Sequence, residues 1–122
     1  MANEITCSGS LRYVKGNIDV DLSKGGLQIT VAGDDHTFMT QNVGFAAEEL
    51  LDLGDVTVPG YCFIKNLDAT NYVEVRAATG VADLIRINAG EFCLFRFAAD
   101  CTTPYVQANT AGVRIQTLLI EA

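Results

Sequence analysis

Long stretches of this chain alternate apolar and polar residues one by one. A period of two has one regular backbone solution, a strand with one face covered and the other in water. Ile18, Val20 and Leu22 alternate with Asn17, Asp19, Asp21 and Ser23, and Leu27, Ile29 and Val31 alternate with Gln28 and Thr30. Lys24-Gly25-Gly26 stands between the two runs and has the glycines of a tight turn. The pattern predicts an antiparallel hairpin over residues 17–31, with a further turn at Gly33-Asp34-Asp35.

The second half follows the same grammar. Strands are expected at Tyr61–Lys65, Tyr72–Arg76, Leu84–Ile87, Phe92–Phe97 and Val113–Ile120. Asn66–Asn71 and Asn88-Ala89-Gly90-Glu91 supply turns between them, since Asn, Asp and Gly tolerate or cap the required backbone angles. Strands at this spacing argue for an all-β fold, an antiparallel β-sandwich or barrel. With 122 residues the expectation is one domain over 1–122. The segment Phe45–Gly54 departs from alternation: it has helix-forming residues, acids in its first turn and a terminal glycine, and predicts a short helix near 46–52. The stretch Ala2–Tyr13, interrupted by Ser8-Gly9-Ser10, reads either as an N-terminal arm or as the first strand. No apolar run approaches the ~20 residues that span a bilayer. Met1-Ala2-Asn3-Glu4 lacks the basic and apolar parts of a signal peptide, so a soluble protein made in the cytoplasm is expected.

Eight Lys and Arg stand against fifteen Asp and Glu, a net charge of −7. That balance disfavours nucleic acid, whose binding depends on neutralised phosphates, and an anionic membrane. The acids are uneven: Asp34, Asp35, Glu48, Glu49, Asp52 and Asp55 occupy a segment with no Lys or Arg. Such a region either docks on a basic partner or is a solvated face that keeps the protein soluble.

Catalytic patterns are missing. Cys7, Cys62, Cys93 and Cys101 include no Cys-x-x-Cys pair of the kind that holds structural zinc. Cys62 shares a strand face with Ile64, and Cys93 with Phe95 and Phe97, as inert core thiols would. Cys101, in Asp100-Cys101-Thr102-Thr103, and Cys7 are the candidate exposed thiols. His36 is the one histidine, so any nucleophile–histidine pair would have to use it, and its neighbours read as a turn entering a strand. Asn17, Asp19 and Asp21 share a strand face, but an extended backbone does not converge their oxygens on a cation. Trp is absent, and Tyr61, Phe63, Phe92, Phe95 and Phe97 read as sheet packing. No cofactor is expected and no catalytic residue is assigned.

One set of residues carries a resemblance. Pro59-Gly60-Tyr61-Cys62-Phe63-Ile64-Lys65-Asn66-Leu67-Asp68 leads to Asn71-Tyr72-Val73-Glu74-Val75, then to Asn88-Ala89-Gly90-Glu91, Leu94-Phe95-Arg96 and Tyr105-Val106-Gln107-Ala108-Asn109-Thr110-Ala111. This order of strands and turns resembles small structural proteins of tailed bacteriophages. The resemblance implies a jelly-roll-like β-sandwich and a non-enzymatic role, foremost a capsid decoration or cement subunit that bridges major capsid proteins on the virion surface. It further implies a homo-oligomer, with a trimer as the first expectation. Head-fibre, neck and tail subunits are alternatives, as is a small carbohydrate-binding sandwich with Tyr61 or Tyr72 as its platform. Phe92, Leu94 and Leu118 fall opposite the core-like residues of their strands, and so are candidates for a partner contact or for a second core layer.

Overall fold

A computed structural model describes residues 3–122. All regular structure among them is β-strand. Where the sequence suggests one domain over 1–122, the chain divides into two units, Met1–Ala32 and Gly33–Ala122.

The first unit is a two-stranded ribbon of β1 (Ile5–Lys15) and β2 (Ile18–Ile29), antiparallel from Ile5 opposite Ile29 to Lys15 opposite Ile18. Its turn is Gly16-Asn17, with Gly16 at φ +57°. The hairpin expected over 17–31 is therefore corrected. Lys24-Gly25-Gly26 is no turn but lies inside β2, where the register shifts opposite Cys7–Gly9 and Gly26 takes φ +63°. The apolar set switches from even positions (Ile18, Val20, Leu22) to odd ones (Leu27, Ile29), and one extra residue in a bulge makes that switch as well as a turn does. The bulge prevails because β1 is long enough to pair with both halves of β2. Of the N-terminal stretch, residues from Ile5 are strand; Ala2 lies outside the described residues.

The second unit contains β3 (His36–Val43), β4 (Glu49–Leu50), β5 (Pro59–Asn66), β6 (Val73–Arg76), β7 (Asp83–Ile87), β8 (Phe92–Arg96), β9 (Tyr105–Ala108) and β10 (Val113–Glu121). They form two antiparallel four-stranded sheets, in the orders β3-β10-β5-β8 and β4-β9-β6-β7. The arrangement is sandwich-like. Val43, Cys62, Ile64, Val113, Ile115 and Leu119 of the first sheet share one buried core with Val73, Val75, Ile87, Val106 and Ala108 of the second. Alternation places these residues inward, and burying each valine, leucine or isoleucine side chain among them contributes roughly 1.5–3 kcal/mol.

The helix expected at 46–52 is also corrected. Residues 45–47 bend, and Glu49–Leu50 pair with Val106 and Tyr105 at the sheet edge. The Leu51 amide continues this edge by donating to the Pro104 carbonyl at 2.9 Å, and the Leu51 side chain is fully buried. Helix propensity separates ordinary residues by under about 1 kcal/mol, so one buried leucine and a few sheet bonds override it.

The turn after β5 is built by side chains. Buried Asn66 donates from Nδ2 to the carbonyls of Asn71 (2.9 Å) and Ile87 (3.0 Å), and its Oδ1 accepts from the Asp68 amide (2.8 Å). Asp68 Oδ2 in turn accepts from the amides of Thr70 (2.9 Å) and Asn71 (2.7 Å). The Asn-Leu-Asp sequence is thus explained by backbone satisfaction in a tight turn.

Candidate interaction surface

The two sheets of the second unit present opposite chemistry outward. On the first, the register aligns Phe38 of β3 with Leu118 of β10, Leu118 with Phe63 of β5, and Phe63 with Leu94 of β8. One apolar row therefore crosses all four strands on the face opposite the core. Phe92 extends it by stacking on Phe63. Phe38 is 66% exposed and Phe92 63%, and Leu94 and Leu118 are also exposed. Neighbouring positions on this face are polar: Thr40, Gln116 and Lys65. Contiguous apolar area of this kind, rimmed by polar residues, marks an interaction site more often than solitary exposed leucines do.

The second sheet has a polar outer face. Arg76 donates from Nη1 to Glu48 at 2.6 Å and from Nη2 to Gln107 at 2.8 Å, and its Nε pairs with Asp83. Glu48 also accepts from the Gly80 amide at 2.8 Å and from the Thr79 hydroxyl. The Thr79 hydroxyl, then the Arg76 guanidinium, hold the Glu48 carboxyl below its ordinary range. Asp83 first, then Glu48, raise the Arg76 pKa. Arg86 pairs with Glu74 at 3.2 Å. The charged groups of this face are thus paired with one another, and the apolar Leu50 of β4, opposite Tyr105, is exposed beside them.

The six acids of the 34–55 segment do not form one patch. Glu48 is held by Arg76. Glu49 accepts from Gln41 Nε2 and the Gly44 amide, both at 3.2 Å. Asp52 Oδ1 accepts from the Gly54 amide at 3.0 Å and closes a turn. Asp34 and Asp35 bond through their backbones to Glu121, and Asp55 is exposed in the turn after Leu53. Only Asp34, Asp35, Asp52 and Asp55 remain exposed.

Of the thiols, Cys101 and Cys7 are both half-buried. The Cys101 thiol donates to the Ala77 carbonyl at 3.4 Å, and burial, with the Asp100 charge second, raises its pKa. It borders an apolar pocket of about 290 Å³ with Val75, Leu84, Ile85, Phe95 and Phe97. A protonated, hydrogen-bonded thiol is a poor nucleophile. His36 is exposed at the start of β3, opposite Ile120. Asp19 is gripped by Arg12 through two bonds of 3.0 and 2.8 Å. Both tyrosines considered as sugar platforms lie beneath a guanidinium, Arg86 at 3.9 Å from the Tyr72 ring centre and Arg96 at 5.4 Å from that of Tyr61. Those ring faces are already used.

The structure thus brings Phe92, Leu94 and Leu118 together and adds Phe38 and Phe63. Phe63 was legible, since it alternates with Cys62 and Ile64. Phe38 was not, because the inward residues of its strand include Thr37 and Gln41, which hide the alternation.

Comparison with protein families, curated proteins and solved structures gives no match to this chain.

Proposed function

We propose that this chain is a non-enzymatic structural subunit of a bacteriophage virion, a capsid decoration or cement protein whose second unit is a jelly roll. The strand order supports the jelly roll. Counted from β3, the eight strands lie first–eighth–third–sixth in one sheet and second–seventh–fourth–fifth in the other, the order of two interleaved Greek keys. The observation that carries the role is the apolar row from Phe38 to Leu94 across the outer face of one sheet, while the charges on the outer face of the other are paired among themselves. A stiff two-layer body with one such face suits a subunit that adds contact area across neighbouring major capsid proteins on the shell surface. The exposed acids Asp34, Asp35, Asp52 and Asp55 would add electrostatic steering toward a basic rim. Association as a trimer at local three-fold positions belongs to the same proposal, as does synthesis in the host cytoplasm.

Quantifying this polypeptide in purified, salt-washed virions tests the reading. Copies in fixed proportion to the major capsid protein are expected. A handful of copies per particle would move the protein to a head fibre, neck or tail, and its absence from virions would overturn the proposal.

A further inference from the structure

Every residue from Ser8 to Gln28 is exposed, yet the ribbon they form is strongly two-faced. Opposite residues in an antiparallel pair share a face. Leu11 faces Leu22, Tyr13 faces Val20 and Lys15 faces Ile18 on one side; Ser10 faces Ser23, Arg12 faces Asp21 and Val14 faces Asp19 on the other. The bulge at Gly25-Gly26 keeps this sidedness, bringing Leu27 opposite Cys7 and Ile29 opposite Ile5. The polar side pairs its own charges, Arg12 with Asp19, and has one exposed apolar residue, Val14 at 59%. The apolar side has five: Leu11 is 77% exposed and Leu22 81%, with Tyr13, Ile18 and Val20 each at least half exposed. A two-stranded ribbon in water is marginal without a covered face.

We infer that the apolar face of the β1–β2 ribbon is a self-association surface, covered by the same face of a second copy. This deepens the homo-oligomer part of the reading above and is independent of its virion part. Charge selects the occupant. The ribbon unit is neutral, Arg12, Lys15 and Lys24 offsetting Glu4, Asp19 and Asp21, whereas Gly33–Ala122 holds five basic and twelve acidic residues. The ribbon is therefore where two copies meet without like-charge repulsion. The centre of its apolar face, Leu11, Leu22, Tyr13 and Val20, carries no charge, so it is complementary to itself, as a two-fold contact requires. Lys15 and Lys24 flank that centre, and their long stems let the ammonium groups reach water. Area agrees. Burying one such side chain removes about 100 Å², so five give about 500 Å² per copy and roughly 1,000 Å² for a facing pair, the size at which specific interfaces begin.

The experiment is the solution mass of the full chain by light scattering at about 50 µM. A multiple of 13.1 kDa is expected for the wild type. The variant Leu11→Glu/Leu22→Glu should run as a monomer, with self-association weakened at least about 100-fold and the near-ultraviolet signal of the second unit kept. A second measurement keeps the test decisive should that variant misfold. Val20→Cys, on the apolar face, should give a disulfide-linked dimer on mild oxidation, in a background with the native cysteines replaced by serine or alanine. Ser23→Cys, on the polar face, should not. A monomeric wild type, an oligomer unchanged in the Leu11/Leu22 variant, or equal cross-linking from both faces would each overturn the inference. Failure of virion incorporation with the oligomer intact would overturn only the virion reading.

Discussion

Phe92 lies flat against Phe63, ring centroids 5.2 Å apart and planes within 9° of parallel, on the face of the sheet turned away from the core. The stack shapes a surface more than it supports the fold. Replacing Phe92 by Ser should cost only about 1 kcal/mol in urea unfolding, the range of an aromatic pair. The core substitution Ile64→Ala should cost about 3 kcal/mol. On the capsid-subunit reading proposed above, Phe38→Ser/Phe92→Ser should leave a folded protein whose co-sedimentation with capsids is at least about tenfold weaker than that of the wild type.

Asn66→Ala removes three bonds at once, leaving the buried Ile87 carbonyl and the part-buried Asn71 carbonyl and Asp68 amide without these partners. An unpaired buried polar group costs about 1–3 kcal/mol. A loss of at least about 2 kcal/mol in urea unfolding is expected, and a loss below about 0.5 kcal/mol would contradict this account of the turn.

Gly54 sits at φ +55°, where a Cβ would come within 2.5 Å of the Thr37 hydroxyl, itself donating to the Leu53 carbonyl at 2.6 Å. Gly54→Ala therefore meets both backbone strain and a clash, and should destabilise by about 2–3 kcal/mol. Gly80 has φ +73° but open space around it, so Gly80→Ala should cost about 1 kcal/mol. Thermal unfolding of the two variants distinguishes strain from contact.

Acid should unfold the second unit through named carboxylates. Glu48 is held low by Thr79 and Arg76, Glu121 by the hydroxyl and amide of Thr57, and Asp68 by the amides of Asn71 and Thr70. A group whose folded pKa is depressed stabilises above its unfolded value and loses that contribution as pH falls through the folded one. The urea midpoint should be flat near neutrality and fall below pH 4.5, the ordinary glutamate value. Glu48→Gln should be less stable at pH 7 and lose less between pH 7 and pH 3; an unchanged slope would count against Glu48.

Burial pushes the Cys62 thiol up to about 12 and that of Cys93 to about 11. Near neutral pH the Cys62 thiol is therefore held protonated, and the thiolate is the reactive form. Cys62 should resist a disulfide reagent in the native protein and react only at the unfolding rate, whereas guanidinium should expose all four thiols at once. Rapid native labelling of Cys62, located by mass spectrometry, would contradict its placement in the core.

Much of the second unit is legible in the sequence because its signals are local. Cys62 and Ile64 alternate with Tyr61, Phe63 and Lys65, and the strand geometry alone sends the two sets to opposite faces. Asn66-Leu67-Asp68 and Asn88–Glu91 close turns with their own side chains. The outward placement of Phe92, Leu94 and Leu118 follows from the same parity.

What the residues alone determined is the in-or-out side of positions in the cleanly alternating strands, such as Cys62 to Lys65, and the turns at Asn66–Asn71 and Asn88–Glu91, since both follow from neighbours within a few residues. Tertiary structure decided which strands lie side by side. Gly25-Gly26 suits a bulge as well as a turn, and only the length of β1 selects the bulge. Glu48–Leu51 suits a helix, and only the edge of β9 and the Arg76 guanidinium draw it into a sheet. The row from Phe38 to Leu94 exists in no segment of the chain, because its members lie on four strands. Local alternatives differ by about 1 kcal/mol, and contacts between residues distant in sequence settle them.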